Sequence, residues 1–304
     1  MNLSPLLRNT LSVLLAACIS SIAHADLKVF ATVPEWGTLA ETLGGDKVTV
    51  YTATTGLQDP HRIQARPSLI AKARSANLIV ATGAELEAGW LSVVQREANN
   101  RAVMPGQPGF FEASAYVQML NVPAAVDRSM GDVHAAGNPH IQTDPRNLLP
   151  IARALSTRMA QLDPENAAVY RERGEQFQKI WQINLARWQK TAAPLRGVKV
   201  WVQHDGYPYM NQWLGLNQVG VLEPVPGVDP SSRQLAEVLQ RQAVVNGRMV
   251  ITSAYMNDAP ARWFSEKAGI PAVVLPFTVG GNERAKSLPA LYDDTIDRLL
   301  AALK

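Results

Sequence analysis

The chain has 304 residues, 47% of them hydrophobic and 18% charged, with a formal net charge of +3. That length suffices for two domains, each with a core of its own. The Lys and Arg residues are scattered apart from small groups such as Arg171 to Arg173, which excludes a nucleic-acid footprint.

Residues 1–25 differ in kind from the rest. Arg8 is their single charge, Leu11 to Ala17 is mostly apolar, and Ala23-His24-Ala25 has the small-x-small pattern of a signal-peptidase site. The apolar run is too short for a membrane span, so it reads as a cleaved secretory signal with the mature chain starting near Asp26. Leu15-Ala16-Ala17-Cys18 also resembles a lipobox, which would leave a lipid-bearing Cys18. The apolar, small residues from Ile19 to Ala25 favour ordinary cleavage. A mature chain without Cys18 holds no cysteine, so thiolate metal sites and disulfides are excluded.

From residue 26 onward the sequence repeats itself. At an offset of 171, Lys28, Val29, Leu43, Gly44, Val48 and Val50 match Lys199, Val200, Leu214, Gly215, Val219 and Val221. Leu78-Ile79-Val80 faces Met249-Val250-Ile251 at the same spacing, and Gly56…Asp59-Pro60 resembles Gly227…Asp229-Pro230 with a one-residue slip. Each half reads as alternating Val- and Ile-rich strands and helices of 3.6-residue period, the latter at Pro67–Ala76 and Ser232–Gln242. Such alternation predicts an α/β fold: two similar lobes, at 26–162 and 194–304, each with a parallel sheet. Ligands of such sheets bind beyond the carboxyl ends of the strands, so two facing lobes place a site in the cleft between them.

The segment at 163–193 predicts one long helix joining the lobes. Asp163 suits the N-cap, Pro164 the first helical position, and Tyr170, Phe177, Trp181, Leu185 and Trp188 form one apolar stripe before Pro194 and Gly197.

His61, His134, His140 and His204 are the histidines outside the signal. His61 follows Asp59-Pro60 after the strand around Val48–Ala53, His204 follows the strand Val198–Val202 at its carboxyl end, and His140 precedes the helix opened by Asp144-Pro145. A histidine beside a strand is more often a hydrogen-bonded structural residue. Two at related points of the two lobes and a third near the crossover are what three imidazoles around one ion require, and imidazole suits zinc better than manganese or calcium.

Gly56-x-x-Asp59-Pro60-His61, Asn138-Pro139-His140, Asp163-Pro164-x-Asn166 and His204-Asp205 occur in that order, together with the turn Thr82-Gly83-Ala84-Glu85-Leu86-Glu87. In these motifs the chain resembles the zinc/manganese solute-binding proteins of ABC transporters, over essentially its whole mature length. Val33-Pro34-Glu35-Trp36-Gly37 and Leu275-Pro276-Phe277-Thr278-Val279-Gly280-Gly281 resemble the AztC-like zinc branch of that family. The resemblance implies a periplasmic receptor that is not an enzyme. It would capture Zn2+ as cargo and deliver it to a membrane permease, as a monomer served by a periplasmic metallochaperone. It also implies His61, His140 and His204 as metal ligands. Manganese receptors typically carry glutamate at the third position, so His204 favours zinc. For the fourth ligand the sequence departs from the family, which places an aspartate just after the last strand. Glu283 is the nearest carboxylate and the expected ligand, with Asp205, Glu223 or water as alternatives. The mobile His- and Asp-rich loop of many zinc receptors is here reduced to Asp127, Asp132 and His134, with His134 either passing metal inward or structural. Alternative readings are a receptor for manganese or another divalent ion, a surface adhesin, and a secreted zinc hydrolase using Glu87 or Glu223 as base. No HExxH supports the last.

Overall fold

The computed structural model describes residues 26–127 and 130–304. The expected signal and Cys18 lie outside the described residues. Among the described residues no helix is long and apolar enough to cross a membrane.

In the N-terminal lobe, β1 (Leu27–Ala31), β2 (Val48–Thr52), β3 (Leu78–Ala81) and β4 (Phe110–Glu112) form a parallel sheet in the order β2-β1-β3-β4. In the C-terminal lobe, β5 (Lys199–Val202), β6 (Asn217–Val221), β7 (Met249–Ser253) and β8 (Ala272–Leu275) repeat that order as β6-β5-β7-β8. The two central strands of the first sheet are nearly uniform apolar runs because helices cover both of their faces. Helices α1 (Pro34–Gly44), α2 (Pro67–Arg74) and α3 (Leu91–Ala98) serve the first lobe, and α6 (Pro208–Leu214), α7 (Ser232–Val245), α8 (Ala259–Ala268) and α9 (Leu288–Ala301) the second. α4 (Leu148–Leu162) and α5 (Ala167–Thr191) form the crossover.

The duplication is visible in the strand register. Val29 pairs with Leu78 and Val200 with Met249, so the central strand pairs sit at the common offset of 171. The outer strands do not keep it. Val29 pairs with Val50, whereas Val200 pairs with Gln218, and a bulge between Val200 and Trp201 shifts the rest of β5 against β6. The matches of Val48 and Val50 to Val219 and Val221 are therefore not structural equivalences.

A second asymmetry matters more. In the first lobe α1 begins at Pro34, three residues after β1 ends at Ala31. In the second lobe β5 ends at Val202 and α6 begins only at Pro208. The intervening loop, longer than its Thr32-Val33 counterpart in the first lobe, carries His204.

α5 has 25 residues, about 37 Å at 1.5 Å per residue. It is preceded by a 3-10 turn at Pro164–Asn166. The expected N-cap at Asp163 is not made: its side chain accepts no cap hydrogen bond, and Oδ2 instead accepts from Asn166 Nδ2 and the Tyr170 hydroxyl. The apolar stripe is buried as expected at Tyr170, Phe177, Trp181 and Trp188, with Leu185 partly so.

The lobes do not have wholly separate cores. Small apolar clusters lie on the outer face of each sheet, around Trp90 and around Trp201. The large central cluster runs from Val29 and Leu39 through Trp181 and Trp188 to Val202 and Tyr292, uniting both inner sheet faces with α5. The Trp181 ring lies 5.2 Å from Trp188 and 5.7 Å from Tyr292, centroid to centroid. The joining helix is thus a shared wall of the core rather than a free strut.

Candidate metal centre

Four histidine rings meet between the lobes. His61 stands on the loop between β2 and α2, His204 on the loop between β5 and α6, and His134 and His140 on the long connection ahead of α4. Ring centroids are 5.2 Å apart for His61 and His140, 5.7 Å for His140 and His204, 6.3 Å for His61 and His204, and 5.4 Å for His61 and His134. The three histidines expected from sequence are brought together, and a fourth joins them.

Each ring is aimed by local chemistry. Asp59 Oδ1 accepts from the His61 backbone amide and lies 2.8 Å from His61 Nδ1. Glu223 Oε2 lies 2.8 Å from His204 Nδ1 and also accepts from the Gly227 amide at 2.9 Å. A carboxylate on one ring nitrogen fixes the tautomer that leaves the opposite nitrogen free as a donor to metal. His140 is buried, its backbone amide donates a hydrogen bond to Asn138 Oδ1, and its ring is set edge-on to Phe277 at 5.1 Å. Gly206 permits the approach of His140 and His204. A Cβ there would stand 3.2 Å from His204 Cδ2, 3.3 Å from Phe277 and 3.4 Å from His140 Cδ2.

The donor set passes a chemical test. His61 Nε2, His134 Nε2 and His140 Nδ1 are buried without a hydrogen-bond partner. A buried polar atom left unpaired costs about 1–3 kcal/mol, so three in one cluster mark a place for a ligand. With Zn–N near 2.0–2.1 Å, two imidazoles on a tetrahedral ion have centroids about 5.2 Å apart. His61–His140 and His61–His134 match that value, whereas His61–His204 is about 1 Å wider than it. Accordingly, no three such groups among the described residues already stand within reach of one point. The unpaired nitrogens of His61, His134 and His140 carry the argument.

Electrostatics keeps the donors available. Burial, reinforced by the neighbouring rings, holds His140 well below the usual 6.5. Burial and His61 bring His134 to about 4 against the opposing charges of Glu85 and Asp132. His204 differs: burial pulls it down, but the Glu223 hydrogen bond and charge outweigh that and raise it above 6.5. A proton on His204 therefore competes with a metal more readily than one on His140 or His134. Affinity should decline below about pH 7, with fewer than three protons taken up per ion lost, because His140 is already unprotonated. Glu223→Gln lowers the His204 pKa, so the decline should move to lower pH while affinity at pH 7.5 drops about 10–100-fold. Metal titrations at several pH values for both forms check this. An unmoved profile would remove Glu223 from the site.

Glu283 is not brought in. Its carboxylate is 94% exposed and pairs with Lys286 at 2.7 Å. Gly280-Gly281 is a packed turn rather than a swinging arm: the Gly280 amide donates to Ala285 O, the Gly281 amide to Thr278 O, and a Cβ on Gly281 would lie 1.9 Å from Pro276 O. Asp205 Oδ1 accepts from Gln218, and Glu223 serves as the partner of His204. The turn around Thr82 is organised by Glu87, which accepts from the Thr32 hydroxyl and the Thr82 and Gly83 amides. Sequence reading missed Asp59 and Glu223 as the groups that orient the rings. Asp59, two residues before His61, was a visible signal; Glu223, nineteen residues from His204, was not.

The sequence profile described as the periplasmic component A of the zinc-uptake complex, ZnuA, matches residues 29–303. The iron ABC transporter substrate-binding lipoprotein MtsA of Streptococcus pyogenes serotype M1 is 22% identical over 288 residues, covering 92% of this chain and 90% of the relative. A crystal structure of ZnuA superposes with a TM-score of 0.76 at 19% identity, covering 92% of this chain and all of that one. The substrate-binding protein FpvC of Pseudomonas aeruginosa, solved with Mn2+, gives 0.75 at 19% identity and covers 92% and 99%.

Proposed function

The chain belongs to the ZnuA family of metal ABC-transporter substrate-binding proteins, and from that premise we propose that it captures Zn2+ in the periplasm and delivers it to an ABC permease. One observation carries the reading. Imidazoles from both lobes and from the connection ahead of α4 converge: His61, His134 and His140 each bring a buried, unpartnered nitrogen, while Asp59 and Glu223 hold Nδ1 of His61 and His204. Nitrogen donors suit zinc, whereas manganese favours oxygen. His61, His140 and His204 are the proposed ligands. The two carboxylates drafted for a hydrolytic role, Glu87 and Glu223, are both engaged by other groups, which supports a receptor over a catalyst. The cargo would arrive free or from a periplasmic metallochaperone, and the receptor would act as a monomer after export.

The names of MtsA and FpvC point to iron and manganese as the competing cargoes. Dialysis of the purified, untagged chain against excess manganese with limiting zinc, followed by elemental analysis, separates them. About one zinc per chain with little manganese is expected. Retention of manganese would overturn the zinc assignment and leave a receptor for another divalent ion.

A further inference from the structure

The connection ahead of α4 does more than carry His140. Its residues 130–138 cross between the lobes and are held on both sides. On the C-terminal lobe the Asp132 amide donates to Pro226 O at 3.0 Å. On the N-terminal lobe the Ala135 amide donates to Glu85 Oε2 at 2.6 Å. Arg62, next to His61, ties the two sides: Nη2 donates to Gly227 O at 2.9 Å and approaches Asp132 Oδ2 at 3.5 Å. The contact is close enough to need glycine on both faces. A Cβ on Gly131, at φ +72, would lie 2.3 Å from Pro226 O, and one on Gly227, at φ +78, would lie 2.0 Å from Asp132 Oδ2.

This strap presents His134. Its ring stacks on His61 at 5.4 Å with an interplanar angle of 25°, and Nε2 of each is buried without a partner. Glu283 is turned to solvent and Asp205 is engaged by Gln218, so neither carboxylate competes for the remaining position. We propose that His134 is the fourth ligand, so that the site holds its ion with four imidazoles and the 130–138 strap acts as its latch. The proposal rests on the reading of His61, His140 and His204 as ligands. It also gives the site its selectivity, since a fourth nitrogen replaces the oxygen donor that manganese favours.

X-ray absorption of the zinc-loaded full-length chain counts imidazoles directly, and stopped-flow transfer to excess chelator reads the latch. Four imidazoles are expected in the wild type, and three with one oxygen in His134→Ala. His134→Ala should also release zinc about tenfold faster or more and prefer zinc over manganese less strongly. Arg62→Ala should keep four imidazoles but release faster, because only the clasp is lost. Glu283→Gln should release at the wild-type rate. Three imidazoles in the wild type, with His134→Ala releasing at the same rate, overturns the proposal while leaving the three-histidine site intact. Zinc binding undiminished in His61→Ala and His204→Ala would instead remove the site itself.

Discussion

Replacing any one of His61, His140 or His204 by alanine is expected to weaken zinc binding by more than about 100-fold, exceeding the 10–100-fold cost of losing an outer-shell partner. The three should not be equal. His140 is 1% exposed and set against Phe277, so water from the cleft reaches its vacated position least readily. His61 and His204 border the more open side of the cleft, where water can take a vacated position. His140→Ala is therefore expected to be the most damaging of the three. Competitive titration against a chromophoric chelator measures each. Wild-type affinity in any two variants would end the assignment.

Trp181→Ala should produce the largest loss of stability, about 3–5 kcal/mol, from the cavity left by a buried indole. Trp181 is 1% exposed, stacks on Phe177 at 4.9 Å, meets Trp188 and Tyr292 edge-on, and donates Nε1–H to Pro145 O at 2.7 Å. Trp181→Phe keeps much of the apolar volume but strands the Pro145 carbonyl, for an expected loss of about 1–3 kcal/mol. Because the central core spans both lobes, urea unfolding should show one transition in the wild type rather than two. Two resolved transitions, or a loss under 1 kcal/mol in Trp181→Ala, would mean that the lobes fold independently after all.

Much of this architecture is readable from local pattern. The strand–helix alternation, the apolar stripe of α5 and the 171-residue repeat depend on spacing along the chain, and spacing survives folding unchanged. The central strand register follows it residue for residue at Val29 and Val200. The outer strand did not follow, because pairing there is set by a bulge that no identity count reveals. Asp163 made the same point on a smaller scale: it has the composition of a cap, but Tyr170 and Asn166 compete successfully for its carboxylate.

For the site, the sequence by itself determined that three histidines stand at strand ends and loop junctions where a two-lobed α/β protein can gather them. Only the tertiary structure shows which other side chains lie beside them. Glu283 is close in sequence to the expected position of a carboxylate, yet a packed diglycine turn faces it to solvent. His134 is six residues from His140 on a stretch with little pattern of its own, yet contacts to both lobes bring its ring onto His61. Glu223 comes to His204 only because β6 lies beside β5 in the sheet. Coordination depends on where nitrogens and oxygens point to within about an ångström, and that direction is set by contacts across the fold rather than by neighbours along the chain.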